Sequence, residues 1–130
     1  MKSLTPARLL YLTYFILLGG PLFLLATILC CIVVIIASYV GLPASFISKT
    51  TKAWSWCCLA VSLCRVTVRG REHLPSTDAP CVVVANHQSA YDIFVLNAYI
   101  GIPFKWVMKQ ELRSIPMVGK ACEAAHFIFV

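Results

Sequence analysis

Between Leu9 and Ser48 the sequence carries no charged residue at all. A soluble helix of that length rarely lacks charge, so this stretch is expected to contact a membrane. Acids are scarce throughout: five Asp and Glu stand against eleven Lys and Arg, for a net charge of +6, and all five lie at or beyond Glu72. The basic residues are scattered rather than gathered on one face or motif, which argues against nucleic acid as a partner and for anionic lipid head groups and phosphorylated substrates. No C-x-x-C occurs among the seven cysteines, and five of them (Cys30, Cys31, Cys57, Cys58, Cys64) fall in apolar or amphipathic stretches. They read as reduced, small apolar residues rather than a disulfide scaffold. His73, His87 and His126 show no ligand spacing with them, so neither a metal nor a cofactor is expected. There is no G-x-S-x-G elbow, which removes Ser89 as the nucleophile of a serine hydrolase.

What is present is apolar and uneven. At 130 residues, 60% apolar, the chain allows one domain at most. After a short basic start from Met1 to Arg8, Leu9 to Val40 is an apolar run of 32 residues interrupted by Gly19-Gly20-Pro21. As one straight helix it would be ~48 Å long against a hydrocarbon core of ~30 Å, so it must tilt, kink or divide. Pro21 is the expected break, leaving Leu22 to Val40 to span and Leu9 to Leu18 as a preceding interfacial piece. The run is too long for a signal-peptide core, and Leu29 before Cys30 does not suit cleavage, so a retained anchor over 1–43 is expected.

Gly41-Leu42-Pro43 is a turn. Beyond it Ser45, Ser48, Lys49, Lys52, Ser55 and Ser62 repeat at helical spacing opposite a stripe of Ile47, Trp54, Cys58 and Val61, so 44–64 reads as an amphipathic helix lying along the membrane surface. A second span is the alternative. With one span, Lys49, Lys52, Arg65, Arg69 and Arg71 place the remaining chain in the cytoplasm.

An α/β part is expected over 65–130. Arg65 to Arg69 alternates as a half-exposed strand ending at Gly70, a loop through Ser76-Thr77-Asp78-Ala79-Pro80 follows, and Cys81 to Ala85 reads as a strand buried on both faces. Tyr91 to Ile100 reads as a helix, Phe104 to Met108 as a third strand completing a β-α-β unit, Met117 to Ala125 as a short helix, and His126 to Val130 as a fourth strand. The last strand would leave an apolar, unpaired edge, so the domain is expected to be truncated.

The chemistry concentrates in Asn86-His87-Gln88-Ser89-Ala90-Tyr91-Asp92, where a strand turns into a helix. His87 and Asp92 are five apart, too far for one helix face, but a turn entering a helix folds the imidazole back toward the carboxylate. Asp92 accepting from one ring nitrogen fixes the tautomer and leaves the other as a general base, a dyad suited to deprotonating an alcohol. Ser89 reads as a turn or helix-cap residue, and backbone N–H groups after His87 are candidate oxyanion donors. Lys109, just after the third strand, is expected on the same rim as His87, where it would hold a phosphate as a point charge. Asn86, Ser89 and Lys109 are thus the candidate substrate-binding residues beside the catalytic candidates His87 and Asp92.

In order along the chain, this pattern resembles the glycerolipid acyltransferase family, in particular the 1-acylglycerol-3-phosphate acyltransferases of bacterial type. The matching features are an apolar N-terminal helix, V-x-G-x-E-x-L-P from Val68 to Pro75, Asn86-His87 with Asp92 completing H-x-x-x-x-D, K-x-E-L-x-x-I-P from Lys109 to Pro116 with Gly119, and Phe127-Ile128-Phe129. The resemblance implies α/β membrane-anchored architecture with a partly parallel sheet, and transfer of a fatty acyl group from acyl-CoA or acyl carrier protein to the free hydroxyl of a lysophosphatidate, giving phosphatidate. It makes His87 the general base and Asp92 its orienting partner, without an acyl-enzyme, and points to a bacterial inner membrane with the catalytic part on the cytoplasmic side. The family continues with an Asp-Arg pair and a Glu-Gly-Thr-Arg motif, associated with binding the acceptor's phosphate, that these 130 residues do not contain. The chain by itself is therefore expected to be inactive. A membrane-anchored lysolipid or thioester hydrolase, using His87 on water, and a non-catalytic membrane adaptor are the alternatives.

Overall fold

The computed structural model describes residues 5–75 and 80–130. The expected loop through Ser76 to Ala79 and the first four residues of the basic start lie outside the described residues. Helix α1 (Pro6–Tyr14) runs through a π-helical turn (Phe15–Gly19) into α2 (Gly20–Tyr39), forming one 34-residue rod. Pro21 does not divide it. A proline lacks the N–H that would bond one turn back and crowds the carbonyl there. The wider turn absorbs this misfit, with the Gly20 N–H reaching back five residues to the Phe15 carbonyl. Gly20 has to be small, because a Cβ would sit 2.9 Å from that same oxygen. At ~51 Å the rod is more than long enough to cross a bilayer, and the mean hydropathy of 2.8 over its most apolar 18-residue window suits one.

A turn at Gly41 (φ +75°) leads into α3 (Ala44–Val61), which folds back along the rod. Tyr14 donates its hydroxyl to the Val61 carbonyl (2.8 Å), Tyr11 to that of Ser62 (3.3 Å), and Trp54 Nε1 to Thr27 Oγ1 (3.1 Å). Thus α3 is packed against the apolar rod and bridged to it by side-chain hydrogen bonds. Of its six predicted polar positions, Ser45, Ser48, Lys49 and Lys52 are exposed and two are not. Ser55 and Ser62 are buried: α4 (Tyr91–Tyr99) covers Ser55, with Asn97 Nδ2 donating to both Ser55 Oγ (2.8 Å) and the Thr51 carbonyl (2.8 Å), while Tyr11 of the rod reaches the Ser62 carbonyl. Phe94 meets Phe23 (5.4 Å between ring centroids) and Trp54 (5.1 Å) edge to face, so rod, α3 and α4 share one aromatic cluster.

A second cluster joins Val34 and Ala37 of α2 and Ile47 of α3 to Ala121 and Ala125 from α5 (Val118–Ala124) and its cap. Strands β1 (Val107–Met108) and β2 (Ile128–Phe129) pair in parallel, Val107 beside Ile128 and Met108 beside Phe129, with α5 in the crossover. The described chain is therefore mostly helical with a small parallel sheet. Arg65 to Arg69 and Cys81 to Ala85 form no strands. Val82 and Val84 are each 89% exposed, the opposite of a strand buried on both faces, because among the described residues no strand pairs with the segment and no helix covers it. The β-α-β unit expected around α4 does not form, and the third and fourth strands are each two residues long. All seven cysteines are free thiols, and burial pushes the Cys122 thiol up to about 11.

Candidate active site

The turn from Asn86 to Asp92 is built around one oxygen. Asp92 Oδ2 accepts the backbone N–H of Gln88 (2.7 Å), the backbone N–H of Ser89 (2.8 Å) and His87 Nδ1–H (3.2 Å). An ionised carboxylate only accepts, so the shared proton is on Nδ1 and Nε2 carries the lone pair. Asp92 enters α4 in its first turn, where N–H groups and the helix dipole favour a negative charge. The hydrogen bonds from Ser89 and Gln88, then the neighbouring His87, hold the Asp92 carboxyl below the ordinary carboxylate range. The pair is open to solvent, with side chains 67% (His87) and 31% (Asp92) exposed.

A carboxyl with a lowered folded pKa contributes stability above its unfolded value of ~3.9 and loses it as pH falls through the folded one. Acid is therefore expected to open this turn only below about pH 4. The Gln88 and Ser89 amide shifts, followed by NMR from pH 6 downward, should titrate together with a midpoint beneath that of a free carboxylate. Independent titration of the two amides would contradict the shared oxygen.

The structure brings His87 and Asp92 into contact and gives Ser89 a capping part: its Oγ accepts the Tyr91 N–H (3.2 Å) and its carbonyl accepts the Asp92 N–H (3.0 Å). Among the expected oxyanion donors, the N–H groups of Gln88, Ser89 and Tyr91 are held within the turn. Asn86 and Lys109 are exposed. The segment leading to His87 and strand β1 leading to Lys109 are not sheet neighbours, so the common rim expected to bring Lys109 beside His87 is not formed.

Sequence reasoning missed the geometry of the Lys109–Gly119 stretch. A 3₁₀ turn (Gln110–Ser114) leads to Met117 at φ 62°, ψ −47°, the centre of a γ-turn closed by Val118 N–H to the Pro116 carbonyl (2.7 Å). Gly119 then lies under the 3₁₀ turn, where a Cβ would be 2.0 Å from the Arg113 carbonyl oxygen. Arg113 pairs with Glu123 on α5 and lies 5.9 Å from the centre of the Phe129 ring, tying the turn to helix and strand. The I-P…G spacing was the available signal: a proline and a glycine bracketing a tight reversal.

A turn that holds a histidine in one tautomer against a carboxylate is equipped for general acid–base chemistry on a bound hydroxyl. The chain belongs to the acyltransferase family, on its glycerolipid branch: the Acyltransferase family model matches residues 65–130. Curated relatives carry the name 1-acyl-sn-glycerol-3-phosphate acyltransferase. One from Chlamydomonas reinhardtii is 33% identical over 112 residues, covering 85% of this chain and 32% of the relative. A chloroplastic one from Brassica napus is 42% identical over 57 residues (44% and 16%), and one from Pseudomonas aeruginosa is 37% identical over 73 residues (52% and 27%). The matches thus span about a third or less of these relatives. No solved structure matches the chain significantly.

Proposed function

We propose that the protein transfers a fatty acyl group from a thioester, acyl-CoA or acyl carrier protein, to the free hydroxyl of 1-acylglycerol 3-phosphate, forming phosphatidate. The observation that carries this reading is the 3.2 Å contact of His87 Nδ1 with an Asp92 oxygen that two backbone amides also hold. The acceptor hydroxyl gives its proton to His87 Nε2 as its oxygen attacks the thioester carbonyl carbon. The tetrahedral oxyanion collapses, the carbon–sulfur bond breaks, and the leaving sulfur takes the proton back from Nε2. Asp92 stabilises the imidazolium between these events and keeps the ring oriented. A thioester is already activated, so a base and an aligned acceptor supply most of what the reaction needs.

Asn86, Ser89 and Lys109 are proposed to contact substrate, Ser89 through the hydroxyl proton left over from its capping role and Lys109 through phosphate. The lysines and arginines following the rod support a catalytic part on the cytoplasmic side, and a bacterial-type inner membrane is proposed with it. The test is thiol release from palmitoyl-CoA with lysophosphatidate, in membranes expressing the gene's uninterrupted reading frame. Release that depends on the acceptor is the expected result. Release of equal size without acceptor would replace transfer with hydrolysis, and no release from protein shown to be present would favour the adaptor.

A further inference from the structure

An open cleft of about 590 Å³ lies between the first half of α3, the loop after α4 and the junction of α5 with β2. Three lysines line it, Lys49, Lys52 and Lys105, and among the described residues no acidic side chain does. Lys49 and Lys52 are three apart on α3, close enough to repel, and neither is in an ion pair among the described residues. Lys105 is fixed from the other wall, its Nζ donating to the Ala125 carbonyl (2.6 Å) at 6.0 Å from the Phe127 ring centre. Between the ammonium groups, Ser45 and Ser48 add hydroxyls, while Ile47 and Phe127 supply an apolar floor.

Positive charge around an apolar floor suits an amphiphile with an anionic head, and the cleft opens where such molecules are found. The end of the membrane rod and the turn into α3 expose Tyr39 (89%), Val40 (70%), Leu42 and Phe46, within three residues of Lys49 at their nearest. We infer that this cleft binds the phosphate head group of an anionic phospholipid, as a site separate from the His87–Asp92 pair. Asp92 opens α4, while the cleft is reached at Asn97 and beyond the helix end, where α3 begins; Asp92 and Asn97 are separated by ~8 Å along the axis. On the transfer reading, the acceptor's phosphate is only a few bonds from its reacting hydroxyl. The lipid in the cleft is thus a second molecule, and its binding is measurable whether or not that reading holds.

The complete chain in nanodiscs of phosphatidylcholine, with or without one-fifth phosphatidate, would be footprinted by lysine acetylation. Phosphatidate should lower the labelling of Lys49 and Lys52 at least threefold while leaving Lys120, outside the cleft, unchanged. An equal fall at Lys120 would mean diffuse surface attraction and overturn the site. Equal protection by soluble glycerol 3-phosphate or CoA in phosphatidylcholine discs would overturn the lipid as its occupant. A photoactivatable phosphatidate should cross-link to the Lys49–Lys52 segment, and Lys49→Gln with Lys52→Gln should abolish that cross-link with the helix content intact. A persistent cross-link would also refute the assignment. Lys105→Gln is a poorer probe, since that ammonium also holds a helix-capping carbonyl.

Discussion

Asp92→Asn is expected to lower acyl transfer about 10²–10⁴-fold, nearly as far as His87→Ala. The substituted amide keeps the shape of the carboxylate but has one acceptor oxygen where three N–H groups converge, and its NH₂ has nothing to accept from them. If the oxygen stays with the Gln88 and Ser89 amides, the turn survives, but His87 loses the full charge that favours its imidazolium. If the NH₂ turns toward the ring, Nδ1 must accept, the proton moves to Nε2, and the base is lost. Both outcomes disable the nitrogen that faces the acceptor. The double variant should be scarcely worse than either single one, because the two residues act as a unit. Additive losses in the thiol-release assay would separate Asp92 from the base. Ser89→Ala, which leaves the Ser89 N–H on Asp92, should cost much less.

Gly119→Ala is the substitution expected to harm the fold most. Its Cβ would lie 2.0 Å from the Arg113 carbonyl oxygen, 2.7 Å from the carbonyl carbon and 3.0 Å from Cα, all backbone and therefore unable to rotate aside. Either the 3₁₀ turn lifts off α5 or α5 leaves its seat against the rod, at about 3 kcal/mol. Gly41→Ala is the control: its φ of +75° disfavours a side chain, but nothing lies within 4 Å, so about 1 kcal/mol is expected. Thermal unfolding in detergent, read by circular dichroism, should rank the two in that order. Equal midpoints would mean the Gly119 contact yields without cost.

Helices were legible where their signals are local. Tyr91 to Tyr99 and Val118 to Ala124 fall inside the segments assigned from the sequence, since helical hydrogen bonds close within each segment. Strands depend on partners. Cys81 to Ala85 has the valines of a buried strand, yet among the described residues nothing pairs with it, so its exposure contradicts its composition. The His87–Asp92 contact followed from a five-residue spacing across a turn. The capture of the Gln88 and Ser89 amides by the same carboxylate did not, because backbone donors leave no trace in residue identity. For the same reason Ser55 and Ser62 were assigned to a wet face: helical periodicity separates stripes but does not say which neighbour arrives to cover one.

The aromatic cluster of Phe23, Trp54 and Phe94 has a bearing on where a reaction at Asp92 takes place. It couples the helix that carries Asp92 directly to the apolar rod. On the reading that the rod crosses a bilayer, the turn carrying His87 is thereby held at a set height relative to it, free to drift sideways with it but not to swing out into the aqueous phase. For an acceptor that also lives in the lipid leaflet, encounter becomes a search in two dimensions. The quantity that governs it is the mole fraction of lysolipid in the surface rather than its concentration in the surrounding solution.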